Sequence, residues 1–230
     1  MELLQGIEDN SIDLIFTDPP YKMISRGQKG GVAGMLSTDL ADEGKIFKEN
    51  DVKFKDWIPQ IYRVLKNKSH CYIMINWNNL NELINVAESS GFDLQNILVW
   101  KKNNCTPSRW FMKNGEFIVM FKKGKAKPIN NEGSKAIKEF ENVRNKIHPT
   151  QKPIKLIEYF IKNSSSKNDL VLDPFGGVFT TAIASYINGR NFISFEKDCE
   201  YYSLGKEWFK RVEKNRNYKE ELRKLYKKIG

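Results

Sequence analysis

The sequence predicts an α/β domain with a mostly parallel sheet and helices on both faces. Short apolar runs alternate with segments of helical periodicity along most of the chain, which is the pattern of a parallel sheet joined by helical crossovers. Two of the apolar runs end in polar turns, and ligands of such sheets bind where strands end. The length of 230 residues and the 40% hydrophobic content fit one compact domain with a small appended lobe.

The individual elements follow from the apolar periodicity. Strands are predicted over residues 12–17, 71–75, 97–100, 116–121, 170–172 and 192–195. Helices are predicted over residues 54–65, 80–87, 153–161 and 180–187, and the final thirty residues are expected to be helical. Residues 22–53 are glycine-rich with few periodic apolar positions, so they are predicted to form a mobile loop of the kind that closes over a substrate.

Composition narrows the class of protein. The chain has 38 Lys and Arg against 28 Asp and Glu, and the net charge of +10 favours a polyanionic partner. Part of this excess lies in Lys206 to Lys228, which could equally be the solvated face of a terminal helix. Its three cysteines are far apart and predict neither a disulfide framework nor a metal site. Without a long apolar run or a secretory signal, the chain is expected to be cytoplasmic, with no membrane association.

The first candidate site is the turn Asp18-Pro19-Pro20-Tyr21 at the end of the first predicted strand. An aromatic amino nitrogen is a poor nucleophile because its lone pair is delocalised into the ring. The Asp18 carboxylate and the Pro19 carbonyl could accept its two hydrogens and localise that pair. The prolines stiffen the turn, and Tyr21 could stack on a base withdrawn from a duplex. An ordinary proline turn with a surface tyrosine is the alternative interpretation.

The second candidate site begins at Asp173-Pro174-Phe175-Gly176-Gly177, between a predicted strand and the helix that starts at Thr180. Paired glycines let a backbone approach a ligand closely, and the helix N-terminus offers free N–H groups to a carboxylate. Phe175 could form a wall for an adenosyl group. Glu196, at the end of the next strand, is placed to accept ribose hydroxyls, although alone it could be an exposed strand-end carboxylate.

The ordered motifs DPPY, HPTQKP, DPFGG with two threonines, and FEKD resemble the β-class amino DNA methyltransferases over residues 12 to about 202. The resemblance implies a Rossmann-like S-adenosylmethionine-dependent methyltransferase fold. It also implies a catalytic pocket and a cofactor site. The catalytic pocket would be Asp18, Pro19, Pro20 and Tyr21; the cofactor site would be His148, Thr150, Lys152, Asp173, Phe175, Gly177, Thr180 and Glu196. For His148 and Thr150, capping of the helix at Pro153 is the structural alternative.

The resemblance also divides the chain. Residues 1–121 would be the catalytic half, 122–147 a target-recognition segment and 148–230 the cofactor half of the same domain. Small phage and restriction-modification enzymes show this pattern. The candidate contacts to phosphates or bases are Arg109, Lys113, Lys122, Lys123 and Lys125. Trp110 is a further candidate, with burial in the core as its alternative.

The chain departs from the family pattern in two places. Val178 and Phe179 follow Gly177 where the family has a small Ser and a Gly, so the cofactor pocket is expected to be narrower unless Phe179 turns into the packing. Family members also carry a strand that ends in a Gly-Asp pair before the first helix, whereas Met1 to Gln5 is predicted to begin inside that helix. The acidic residue of that strand, which would meet the cofactor adenine, is expected to be missing.

The expected function is methyl transfer from S-adenosylmethionine to N6 of a flipped adenine in double-stranded DNA, in line and without a covalent enzyme intermediate. Asp18 or water would take the amino proton. Asp18 stands where cytosine-N4 enzymes usually have Ser, which favours adenine, and cytosine-N4 methylation is the alternative. A degenerate fold that only binds DNA or a partner is another alternative, and a homodimer is left open. All of these expectations require the two turns to lie on neighbouring strands, at the same end.

Overall fold

The structure, a computed structural model, describes residues 2–20, 52–144, 146–147 and 151–215. Its elements are α1 (Glu2–Gln5), β1 (Ile12–Thr17), α2 (Phe54–Val64), β2 (Leu65–Ile75), α3 (Leu80–Ser89), β3 (Asp93–Thr106), β4 (Lys113–Lys122), β5 (Ile137–Glu139), α4 (Ile154–Ser164), β6 (Leu170–Asp173), α5 (Thr180–Ile187), β7 (Asn191–Ser194) and α6 (Cys199–Lys214). The predicted mobile loop lies outside the described residues except for its last two positions. No helix in the described ranges is both long and apolar enough to cross a membrane.

The described strands form one seven-stranded sheet in the order β5-β3-β4-β2-β1-β6-β7. Neighbouring strands are parallel in four pairs, β5 with β3, β2 with β1, β1 with β6 and β6 with β7. Strand β4 is antiparallel to both of its neighbours because it returns directly from β3 through a hairpin. The prediction of a mostly parallel sheet is confirmed.

Alternating apolar side chains place a separate core on each face of the sheet. On β1, Leu14 and Phe16 point into a core completed by α4, α5 and α6. Ile12 and Ile15 point to the opposite core, formed with α1, α2 and α3. Each of these four side chains is fully buried, and burial of one such side chain stabilises the folded protein by about 1.5–3 kcal/mol. The predicted helices on both faces are therefore present.

Three strands, β2, β3 and β4, extend several residues beyond their predicted bounds. The extra residues of β2 at Lys66 to Ser69, and of β3 at Lys101 to Thr106, are mostly polar and exposed. Cross-strand hydrogen bonds to β4 hold the β3 extension, with Lys101 opposite Gly115 and Thr106 opposite Lys113. Hydrophobic periodicity detects only the buried centre of a strand, so it missed these ends.

The segment 122–147, predicted as a recognition lobe, lies against the body of the domain in its described part. The short strand β5 extends the sheet next to β3. The Asn130 side chain donates to the carbonyls of Lys162 (2.8 Å) and Ser165 (2.9 Å) at the end of α4. Val143 is buried in the core on the α4 face. A role of this segment in target recognition stays a prediction.

Candidate functional site

The two turns singled out in the sequence lie side by side. Strands β1 and β6 are parallel neighbours, with Leu14 opposite Val171 and Ile15 opposite Leu172. Both strands therefore end at the same edge, where Asp18 and Asp173 begin the two turns. A hydrogen bond from Thr17 Oγ1 to Asp173 Oδ1 (2.8 Å) joins them directly. The spatial expectation on which the functional prediction depends is met.

Asp173 fixes the shape of the second turn. Its Oδ1 atom also accepts a hydrogen bond from the Phe175 backbone N–H (3.1 Å). Burial raises the pKa of Asp173 to about 6, and hydrogen bonds from Thr181, Thr17 and Phe175 oppose that rise. Asp173 is thus a buried acceptor that anchors the turn to β1.

The two glycines form the cradle of this turn. A side chain at Gly176 would overlap the Ser194 hydroxyl and lie 3.2 Å from the Phe195 carbonyl oxygen, so only glycine fits there. Gly177 has φ +52, in the left-handed region that favours glycine, and a Cβ on it would meet no atom within 4 Å. The surface above Gly177 is therefore open to a ligand.

Glu196 holds the same turn from the other side. Its Oε2 accepts from the Gly177 N–H (2.7 Å) and its Oε1 accepts from the Asp198 N–H (2.8 Å). A carboxylate oxygen can accept a second hydrogen bond, so Glu196 remains able to receive a ribose hydroxyl. Binding of a cofactor by Glu196 stays a prediction.

The remaining cofactor-site candidates surround the cradle. Phe175 is half-buried and meets Trp57 of α2 edge to face, with ring centroids 5.1 Å apart. Thr180 is buried at the start of α5. The Ser194 hydroxyl is buried without a hydrogen-bond partner in the described part of the structure. A glycine cradle with an unpaired hydroxyl beside it fits a cofactor with polar groups, such as S-adenosylmethionine.

The bulky residues that replace the family's Ser and Gly are both buried by packing, and the Phe179 ring lies between Gly176 and α6. Val178 is buried in the core on the α4 face. Phe179 packs against α6, where its ring meets Tyr202 edge to face at a centroid distance of 5.5 Å. A Cβ on Gly205 would lie 2.9 Å from that ring, so Gly205 leaves the room that Phe179 occupies. Phe179 therefore packs against α6, and a narrower cofactor pocket stays a prediction.

Lys152 forms ion pairs with the catalytic turn. Its Nζ is 2.5 Å from Asp18 Oδ2 and 3.6 Å from Glu116 Oε2. Residue 152 lies close to Asp18 because it shortly precedes α4, which packs against β1. Contact of Lys152 with a cofactor stays a prediction.

Two further residues of this network carried no chemical role in the sequence reasoning. Glu116 on β4 lies between Lys152 and Lys102, and it forms an ion pair with Lys102 of β3 as well. The four charges run from the base of the β3–β4 hairpin to the catalytic turn in the order Lys102, Glu116, Lys152, Asp18. The sequence carried little signal for this network, because an acidic residue and a lysine on neighbouring strands can be matched only when the pairing of the strands is known.

The electrostatics of the network differ at its two carboxylates. Burial raises the pKa of Asp18, and the nearby Lys152 only partly opposes this rise. Burial also acts to raise the pKa of Glu116, but Lys152 and Lys102 outweigh it and that pKa is lowered. The lysines therefore prevail over burial at Glu116, whereas burial prevails at Asp18.

Three of the predicted site residues fall outside the described residues: Tyr21, His148 and Thr150. Of the catalytic turn, the structure describes Asp18 and Pro20, which are half-buried, and Pro19, which is buried. The rigid part of the turn is therefore in place next to β6.

The predicted DNA contacts separate into two groups. Arg109 and Lys113 belong to the β3–β4 hairpin at the edge where the catalytic turn lies. Lys122, Lys123 and Lys125 lie at or just beyond the other end of β4, about 30 Å away for a ten-residue strand. That is the edge at which β1 and β2 begin.

Lys123 is a structural residue, and its assignment to DNA contact is corrected. Its side chain is 7% exposed, and its Nζ donates to Asn10 Oδ1 (2.9 Å) and to the carbonyl oxygens of Tyr62 (2.7 Å) and Leu65 (2.7 Å). It ties the start of β1 to the end of α2. Lys122 pairs with Asp93 at 3.5 Å and Lys125 is exposed, both far from the two turns. Contact of Lys122 and Lys125 with DNA phosphates or bases stays a prediction.

Fold and site together define an enzyme class. Two turns that begin with an aspartate lie side by side at the carboxyl edge of the sheet, and one of them contains a glycine turn that is open to a ligand. Enzymes with open α/β sheets bind their ligands at this edge.

Comparison with known proteins specifies the family. The DNA methylase family model for N6 and N4 enzymes matches residues 12–207, and the chain therefore belongs to the DNA methylase family. The chain is 30% identical over 253 residues to the Type II methyltransferase M2.MboI of Moraxella bovis, an alignment that covers 97% of this chain and 90% of that protein. The predicted resemblance to amino DNA methyltransferases of restriction-modification type is confirmed.

Solved structures agree with the fold. The crystal structure of the M1.HpyAVI-SAM complex matches with a TM-score of 0.65 and 26% identity, covering 90% of this chain and 91% of that one. The cytosine-N4-specific PvuII DNA methyltransferase matches with a TM-score of 0.70 and 21% identity, covering 98% of this chain and 88% of that one. The predicted Rossmann-like methyltransferase fold is confirmed.

Proposed function

We propose that this DNA methyltransferase moves a methyl group from S-adenosylmethionine to N6 of an adenine flipped out of double-stranded DNA. The observation that carries the proposal is the hydrogen bond from Thr17 to Asp173, which holds the amine-binding turn against the cofactor cradle. Family membership supports DNA as substrate. The complex of the relative M1.HpyAVI with SAM supports the donor.

Asp18 and Pro19 bind the target amino group. The Asp18 carboxylate accepts one N–H and the Pro19 carbonyl accepts the other, which draws the nitrogen toward a pyramidal geometry and aims its lone pair at the cradle. When bound, S-adenosylmethionine supplies an electrophilic methyl group on sulfur. The methylated amino group is transiently cationic and loses a proton to Asp18 or to water.

Lys152 is a positioning residue for Asp18. It holds Oδ2 at 2.5 Å, which leaves Oδ1 for the amino hydrogen. Because the Asp18 pKa is raised by burial, the positive charge of Lys152 also keeps this carboxylate ionised and able to accept. Glu116 anchors Lys152 from the other side at 3.6 Å.

Adenine is the proposed target because position 18 carries a carboxylate. The resemblance noted in the sequence places Ser at this position in cytosine-N4 enzymes. Cytosine-N4 transfer is the second candidate, since the fold is shared with the cytosine-N4-specific PvuII enzyme. The two candidates differ in the product nucleoside.

The test is transfer of labelled methyl from S-adenosylmethionine to assorted duplex DNAs, followed by digestion to nucleosides. Label in N6-methyl-2′-deoxyadenosine is the expected result, and it should disappear in Asp18→Ala. Asp93→Ala is the matched control, because Asp93 pairs with Lys122 at the opposite edge of the sheet and its loss should leave transfer intact. Label in N4-methyl-2′-deoxycytidine establishes the second candidate. DNA binding without label above the Asp18→Ala background overturns the enzymatic proposal.

A further inference from the structure

The β3–β4 hairpin has an exposed aromatic tip. Thr106 pairs with Lys113, so residues 107–112 form the tip, and it contains Trp110, Phe111 and Met112. Trp110 is 89% exposed and Phe111 is 94% exposed. An aromatic side chain buries about 150–250 Å² when it is packed, so exposing two of them to water forgoes that stabilisation. Exposed apolar patches of this kind mark interaction sites.

The hairpin projects from the edge of the sheet that carries the catalytic turn. Ile75, the last residue of β2, pairs with Phe117 on β4. Lys113 is four residues further along β4, so the stem reaches about 13 Å beyond β2 before the tip begins. The major and minor grooves of DNA are about 8 Å deep. A stem of this length carries the tip to the base stack when the backbone of β2 remains outside the groove.

The stem and tip carry a net positive charge. Lys101, Lys102, Arg109 and Lys113 are the charged residues of the stretch 101–113, which contains no Asp or Glu. Lys101 pairs with Glu139 and Lys102 with Glu116, so Arg109 and Lys113 are the cations closest to the tip. The stem is also held in place, since the Asn142 side chain donates to Asn104 Oδ1 at 2.6 Å. A rigid basic arm with apolar aromatic residues at its end is complementary to a phosphate backbone with stacked bases behind it.

Trp77 extends this surface toward the catalytic turn. It follows the end of β2, is exposed, and lies under the Lys113 amino group, with 5.6 Å from Nζ to the ring centroid. The aromatic surface therefore continues from the hairpin to the loop after β2, the strand next to β1. The tip, Trp77 and the Asp18 turn therefore lie at the same edge of the sheet.

We propose that the tip, through Trp110 and Phe111, enters the duplex at the target base pair and fills the gap that the flipped base leaves. The proposal deepens the proposed function and rests on it. Aromatic side chains that occupy the vacated position replace the stacking that the target base loses, which lowers the cost of extrusion. An unpaired target base leaves the stack at lower cost, so the tip matters less there.

The test compares methylation of two duplexes by the double variant Trp110→Ala/Phe111→Ala. Both duplexes carry a sequence that the unaltered protein methylates; in one the target base is paired and in the other it stands opposite an abasic site. The double variant is expected to lose about 10-fold to 100-fold in rate on the paired duplex, the range that loss of base stacking implies. On the unpaired duplex the loss should be under about 3-fold.

Leu3→Ala is the matched control. Leu3 is an exposed apolar residue of α1, next to the start of β1 at the opposite edge of the sheet, and its loss should change neither rate. An equal loss of rate on both duplexes, or no loss on the paired duplex, overturns the proposal.

A binding measurement separates failure of this proposal from failure of the proposed function. The unaltered protein should bind a 30-base-pair duplex with a central abasic site more tightly than the intact duplex, and the double variant should lose that preference. If no DNA is methylated at all, the proposed function has failed, and this preference still decides the role of the tip. Equal preference in both proteins overturns it.

Discussion

Replacing Lys152 by Gln is expected to move the acid limb of the pH-rate profile to higher pH. Asp18 must be ionised to accept an amino hydrogen, so activity falls as this group becomes protonated. Lys152 lowers the pKa of Asp18, whereas burial and Glu116 raise it. Without Lys152 only the more distant Lys102 opposes the raising influences, so the pH below which activity is lost rises.

The size of this shift follows from the geometry. A pair of unit charges about 4 Å apart at an effective dielectric constant of about 20 interacts by about 4 kcal/mol, which corresponds to about 3 pH units. The Asp18 side chain is 24% exposed and Lys152 is 12% exposed, so water compensates part of the loss. We therefore expect the acid limb to move by about 1–2 pH units, with a plateau at high pH close to that of the unaltered protein.

The assay is kcat for methyl transfer to duplex DNA measured across the acid and neutral range. Glu116→Gln should shift the limb to lower pH, because Glu116 raises the Asp18 pKa. Lys162→Gln is the matched control, since Lys162 forms an exposed pair with Glu158 on α4. A uniform loss of rate at every pH would refute the positioning role. A rise in KM for S-adenosylmethionine without a shift would restore the cofactor-side role that the sequence implied.

Three further outcomes are expected. Gly176→Ala should weaken S-adenosylmethionine binding and lower the free energy of unfolding by about 1–3 kcal/mol, because the added methyl group would overlap Ser194. Calorimetry measures the binding and urea unfolding measures the stability. Unchanged binding would contradict the assignment of the Gly176-Gly177 turn to the cofactor site. Lys123→Met should lower the free energy of unfolding in urea by about 2–4 kcal/mol and leave DNA affinity unchanged, because it leaves buried oxygens without a hydrogen-bond donor. The control Lys125→Met should change neither quantity. Weaker DNA binding by Lys123→Met would indicate that Lys123 contacts DNA. The pKa of Asp173 is about 6 in the folded protein, above its unfolded value, so its contribution to stability is complete at low pH and is lost as pH rises through about 4 to 6. In Asp173→Asn the free energy of unfolding should therefore fall less over this pH range, by up to about 3 kcal/mol. Identical slopes of unfolding free energy against pH in the two proteins would contradict this.

Much of the fold followed from local pattern. The bounds of β1 and α5 were predicted as the structure has them. In both elements the apolar side chains that define the period are the ones buried in the two cores. The polar ends of β2, β3 and β4 escaped prediction because pairing with a neighbouring strand, rather than burial, orders them.

Charge was the least predictable property. A basic cluster in the sequence is formed by Lys122, Lys123 and Lys125, and all three lie away from the site. Lys123 is hydrogen-bonded to Asn10, which precedes β1. Lys152, which sequence context grouped with the cofactor, is the partner of Asp18. A lysine side chain is long and flexible, so the residue with which it forms an ion pair or hydrogen bond depends on which elements lie around it in the folded protein.

The sequence by itself determined the sheet, the order of the motifs and the two turns, because strand periodicity and a proline or glycine turn depend only on residues adjacent in the chain. Tertiary structure decided which charges meet, from the ion pair of Lys152 with Asp18 to the carbonyl cage of Lys123, and it turned Phe179 toward α6. The physical reason is that electrostatic and packing energies depend on distance in space, which the chain sets only when its strands have paired.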